Sequence, residues 1–144
     1  MTSDGINKRD WDKVHAIACR IVSASMKDDK HSCRRWKKDL KTFLDKLEQK
    51  YGRLPSLVAT HADFCDNKRQ SIKLWKEAYS LAMFRCDKRN LALISSSLAG
   101  FMIYHKEDPV AGQHWLDIMK GHMSKDDNQE YLALQRRIKQ IQKK

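Results

Sequence analysis

Proline and glycine are scarce: two and five residues in a chain of 144. An all-β protein needs many more turn residues than that, so the shortage argues for long helices. No apolar run approaches the roughly 18 residues that a membrane span requires. The opening stretch MTSDGINKRDWDK lacks the apolar core of a secretory signal. A cytoplasmic protein with no membrane partner is therefore expected. Cys19, Cys33, Cys65 and Cys86 are scattered, without a CxxC pair. That argues against a disulfide scaffold of the kind short secreted chains use, and most of these thiols are expected to pack as small apolar side chains.

Catalytic signatures are missing too. The chain has no GxSxG, HExxH, phosphate-binding loop or GxGxxG. His61 and Cys65, four apart on one expected helix, have metal-ligand spacing, but no second pair completes a set. Neither an enzyme nor a cofactor or metal is expected.

What is present is charge and helical periodicity. The net charge is +11 and unevenly spread: residues 1–53 carry 14 Lys/Arg against 8 Asp/Glu, while residues 54–124 carry 9 against 7. Four Trp, four Tyr and four Phe, with regular Leu, Ile and Met, supply a core for a single domain over residues 1–144. Apolar residues recur at three- and four-residue spacing in seven segments. The first holds Trp11, Val14, Ile17 and Ile21, with Asn7 or Asp10 as its cap; the second holds Trp36, Leu40, Phe43, Leu44 and Leu47 and ends at Gly52. Pro55 opens the third, Arg69 the fourth, and Leu91 leads the fifth. Asp108-Pro109 starts the sixth, and the acidic Asp126-Asp127 pair the seventh. The expected fold is all-α, with about seven helices and no strand.

The segments also echo one another. Trp36, Trp75 and Trp115 stand 39 and 40 residues apart, each four positions after a small residue: Ser32, Ser71 and Ala111. The helices before them carry Ala18, Ala59 and Ala99 in one register, each behind Ile17, Val58 or Leu98. A small residue on each helix of a pair lets two backbones approach, and the indole then fills the wedge toward the next pair. This pattern resembles the tetratricopeptide repeat, with the small-xxx-Trp units where A-x3-F stands and Ile17-Ala18, Val58-Ala59 and Leu98-Ala99 where Leu-Gly stands. It departs from that repeat in its period of about 40 and in lacking the closing proline. The repeat's leading Trp is replaced by Val14, Pro55 and Ser95, and Asp39 takes a usually small position. Another α-hairpin repeat or a non-repeat bundle would give a similar pattern.

The resemblance implies an α–α superhelix of three stacked hairpins, at about 7–52, 54–85 and 89–123, plus a capping helix at about 126–142. It further implies a concave face lined by the first helix of each pair: His15, Cys19, Val22 and Ser23; Ser56, Thr60, Asp63 and Phe64; Ser96, Gly100, Ile103 and Tyr104. A trough with aromatic anchors and small polar walls suits a peptide or helix. Against that, the seventh helix (Tyr131, Leu134, Ile138, Ile141) has the spacing of one that packs on another, either filling the trough as a cap or pairing two copies of the chain.

Two basic clusters remain: Arg34, Arg35, Lys37, Lys38 and Lys41, and Arg136, Arg137 and Lys139. They suit an acidic protein surface or the phosphates of a nucleic acid, and otherwise are solvated helix faces. Trp36 shares its register with Trp75 and Trp115, which argues for a core position rather than base stacking. The expected function is a non-catalytic protein-binding module acting as adaptor, chaperone or stoichiometric, immunity-type inhibitor; RNA or DNA binding is the alternative.

Overall fold

A computed structural model describes all of residues 1–144. The chain is all-helical: α1 Lys8–Met26, α2 Lys30–Tyr51, α3 Pro55–Asp63, α4 Lys68–Phe84, α5 Lys88–Tyr104, α6 Pro109–Lys120 and α7 Asn128–Gln142, with one 3-10 turn at Lys125–Asp127. Five of the helix starts are marked by polar side chains that accept a backbone N–H three residues on. Asn7, Asp29, Asn67, Asp87 and Asp108 do this for α1, α2, α4, α5 and α6, and Ser124 with Asp127 forms a capping box ahead of α7.

Three of the tight turns share a further device. Asp28, Cys86 and Glu107 lie in the left-handed region (φ 54°, 54° and 46°), each just before an aspartate cap. That conformation costs a residue with a side chain about 1–2 kcal/mol, and the cap that follows helps hold it.

Consecutive helices pack as pairs: α1 on α2, α3 on α4, and α5 on α6. Polar contacts tie helix ends together: Lys50 and Tyr51 of α2 meet Asp10 of α1 (2.8 and 2.5 Å), Lys68 of α4 meets His105 just past α5 (3.1 Å), and Arg89 of α5 meets Asp127 of the 3-10 turn (2.9 Å). The α7 helix packs on both α5 and α6, burying Tyr131, Leu134 and Ile138 against Ala99, Ile103, Leu116 and Met119.

The core falls into three clusters. One joins α1, α2 and the start of α3 around Ile6, Val14, Leu40, Leu44 and Leu57. The second joins α3, α4 and α5 around Trp75, Ala78, Ile94 and Leu98, and the third lies under α7. Helices α5 and α6 approach closely at Gly112, where a Cβ would stand 2.5 Å from Cγ1 of the buried Ile103. The small residue that permits this approach is therefore Gly112, one position beyond Ala111, which the repeat pattern singles out.

The α3 helix is the exception among the caps. Its N-cap is Leu54, whose side chain accepts nothing. Asp4 supplies the cap from the far end of the chain. Its carboxylate accepts Ser56 N–H at 2.8 Å, Ser56 Oγ–H at 2.9 Å, Asn90 Nδ2–H at 3.2 Å and Thr2 Oγ1–H at 2.6 Å. With Ile6 fully buried beside it, the segment Thr2–Ile6 ties the first helix pair to the starts of α3 and α5.

Candidate functional site

A cleft of about 600 Å³ opens between α2 on one side and α3, the turn after it and the start of α4 on the other. Helix lengths explain it. The 22 residues of α2 extend about 33 Å and the nine of α3 only about 14 Å. A short helix cannot cover a long neighbour, so one flank of α2 is left open between Arg34 and Glu48.

The floor is apolar, made by Leu40, Leu44, Phe64 and Leu74 with the Thr60 methyl side. The rim is charged, and its charges sort into two groups. Lys37 is held by Asp66 at 2.6 Å, and Arg53 by Glu77 and by Glu48 (2.7 Å), with each cation raised above its ordinary pKa chiefly by those hydrogen bonds. His61 lies 3.6 Å from Asp45, and burial pushes its imidazole below the ordinary value against the pull of that carboxylate. The second group, Arg34, Lys38 and Lys41, is exposed and has no carboxylate within ion-pair distance. Three cations without partners beside an apolar floor make a surface that attracts negative charge and can bury an apolar side chain next to it.

This cleft draws together parts of two sets that the sequence keeps separate: the α2 cluster and, from the concave-face set, Thr60 and Phe64. The remaining concave-face residues are dispersed. Ser56 is buried under Asp4, and Thr60 donates to Ser56 O at 2.7 Å. Ile103 is fully buried beneath α7, and Gly100 faces Leu134. Tyr104 is exposed, with the Arg137 guanidinium 5.8 Å above its ring. Ser96 is half-buried on α5, while His15 is exposed on α1, which makes no close backbone approach to α3. The Cys19 thiol beside His15 (3.6 Å), Val22 and Ser23 are exposed as well.

Asp63 takes a special position at the end of α3. It accepts Trp75 Nε1–H at 2.9 Å and also bonds Ser97. Burial of the carboxyl pushes its pKa up to about 6, against both hydrogen bonds. The residue keeps an open side to solvent.

The three tryptophans share a register but not their surroundings. Trp75 is buried, edge-on to Phe101 of α5 (5.6 Å); Trp115 is half-buried against Tyr79 of α4 (5.4 Å). Trp36 is also half-buried, and it lies under two cations, Arg20 of α1 at 4.6 Å and Arg35 at 5.3 Å. It packs against the first core cluster, as its register suggests, with one face left to the two cations.

The second basic cluster stays apart, since α7 does not touch α2. Arg136 and Lys139 are exposed, and Arg137 stacks on Tyr104. The cysteines also differ from expectation. All four are unpaired, but Cys19 and Cys86 are exposed and Cys33 and Cys65 half-buried. Cys65 lies beyond the end of α3 and donates to Asn67 O, so it does not share a helix face with His61. No three His, Cys, Asp or Glu residues come together as a metal set. No helix is long and apolar enough to cross a membrane.

Asp4 and Gly112 are structural supports that the sequence reading misses. Asp4 had one signal: Leu54-Pro55 starts a helix with no polar cap, which calls for an acceptor from elsewhere. Compared with known proteins, the chain matches no family model, no curated protein and no solved structure.

Proposed function

We propose that the chain is a non-catalytic binding module that takes an acidic segment of another protein in the α2–α3–α4 cleft. One observation carries the reading: Arg34, Lys38 and Lys41 have no carboxylate partner at the rim of an apolar-floored cleft, while their neighbours Lys37 and Arg53 are paired. Negative side chains of the ligand meet the three cations, and one apolar side chain settles on Phe64, Leu44 and Leu74. Charge sets the on-rate and orientation, and the buried anchor supplies most of the affinity. An adaptor, a chaperone or a stoichiometric inhibitor of immunity type would each work through such a surface. Four free thiols suit the reducing cytoplasm. A relation to tetratricopeptide repeats remains part of this proposal, supported by the sequence register alone.

Fluorescence anisotropy with labelled acidic peptides, each bearing one Phe or Leu, tests the reading. Binding should be saturable and should be lost on Phe64→Ala or on the triple change Arg34→Ser, Lys38→Ser, Lys41→Ser. It should survive Tyr104→Ala, because Tyr104 lies outside the cleft. Equal affinity for wild type and Phe64→Ala, with helicity unchanged, would sink the proposal.

A further inference from the structure

A second surface lies on the seam between α1 and α2 and owes nothing to the cleft. Two cation–aromatic pairs cross it in antiparallel register: Arg20 over Trp36 (4.6 Å) and Lys13 over Phe43 (4.6 Å). Lys13 and Arg20 are seven residues apart on α1, two turns or about 10 Å, and Trp36 and Phe43 are seven apart on α2. Arg35 sits over the same indole as Arg20, at 5.3 Å. A guanidinium laid against an indole loses much of its rotational freedom while its edge N–H groups still point outward. Two such groups sharing one ring form a preset donor array of the kind that binds phosphate in forked pairs.

The neighbouring carboxylates leave these cations free. Lys13, Arg20 and Arg35 form no ion pair, Asp12 is engaged by Lys8 at 2.6 Å, and Asp39, one turn from Arg35, pairs with nothing. The charges form a line rather than a patch, and the aromatic faces are taken up by the cations. The seam therefore suits an extended anion with repeating charge and offers no ring on which to read a base. We infer that the α1–α2 seam binds the phosphate backbone of single-stranded nucleic acid through Lys13, Arg20 and Arg35, without sequence preference.

The test measures anisotropy of a labelled oligothymidylate against NaCl concentration, with an acidic peptide as the parallel probe. Three neutralised phosphates on a single strand give a slope of log K against log salt of about −2. The double change Arg20→Ser, Arg35→Ser should cut that slope to about −0.7 and weaken binding about tenfold at low salt. Asp39→Asn should tighten it. Peptide binding in the cleft should be unaffected by these seam changes, so that failure of one site does not imply failure of the other. Several results would overturn the inference: no saturable binding at low salt, a double variant that keeps the wild-type slope with helicity intact, or tighter binding to a duplex of the same length.

Discussion

Asp4→Ala should be among the most damaging single changes to this chain, although Asp4 lies only four residues from the N-terminus and outside every helix. The residue is 8% exposed and its carboxylate accepts four hydrogen bonds. Removing it uncaps α3, which has no local alternative at Leu54, and loss of a cap costs about 1 kcal/mol. It also strands the Ser56 hydroxyl in a buried site, for a further 1–3 kcal/mol or so. Asn90 is partly protected, because Asp87 also accepts from it at 2.7 Å. The sum is about 2–4 kcal/mol, and at about 2–4 °C per kcal/mol for a chain of this size Tm should fall by roughly 4–16 °C. Urea unfolding followed by far-ultraviolet circular dichroism measures the loss. A double-mutant cycle with Ser56→Ala should return a coupling above about 1 kcal/mol, because the two side chains touch. A loss under about 0.5 kcal/mol, the usual range for surface changes, would refute the idea that the N-terminal segment caps α3.

Other predictions follow from particular contacts. Gly112→Ala should destabilise by up to about 2 kcal/mol: crowding of Ile103 costs about 1–3 and helix propensity returns about 1. Gly100→Ala, whose Cβ meets Leu134 at an ordinary 3.9 Å, should instead stabilise by about 0.5–1 kcal/mol; thermal melts of both variants check the contrast. Cys86→Gly should stabilise by about 0.5–1 kcal/mol, since an exposed residue leaves the left-handed region's strain behind and gives up no packing. Asp63 titrates near 6 in the folded chain and near 3.8 when unfolded. Folding therefore takes up a proton between those values, and stability rises as pH falls from about 6 toward 4. Asp63→Asn should remove that slope and raise the urea midpoint at pH 7 while leaving it unchanged near pH 4; an unaltered slope would show that Asp63 is not its source.

The helices were legible because their signals are local. Asn7, Gly52, Pro55 and Asp108-Pro109 mark boundaries through chemistry confined to one or two turns, and the structure uses all four. The site was only half legible. Arg34, Lys38 and Lys41 are visible as a cluster, but whether a cation is free depends on carboxylates far away in sequence. Asp66 reaches Lys37 across 29 residues and Glu77 reaches Arg53 across 24. The cleft itself comes from the mismatch between the lengths of α2 and α3, which matters only once the two lie side by side. At Trp36 periodicity correctly places the ring toward α1 and the core, yet nothing local announces that Arg20 will lie over it.

The most direct measurement is a map of where ligand lands. Titrating the ¹⁵N-labelled chain with an acidic, apolar-anchored peptide should move backbone amide resonances of Arg34–Glu48 and of residues from Thr60 to Leu74, in one saturable process. Shifts confined to α7, or spread evenly over the chain, would contradict a binding surface between α2, α3 and α4.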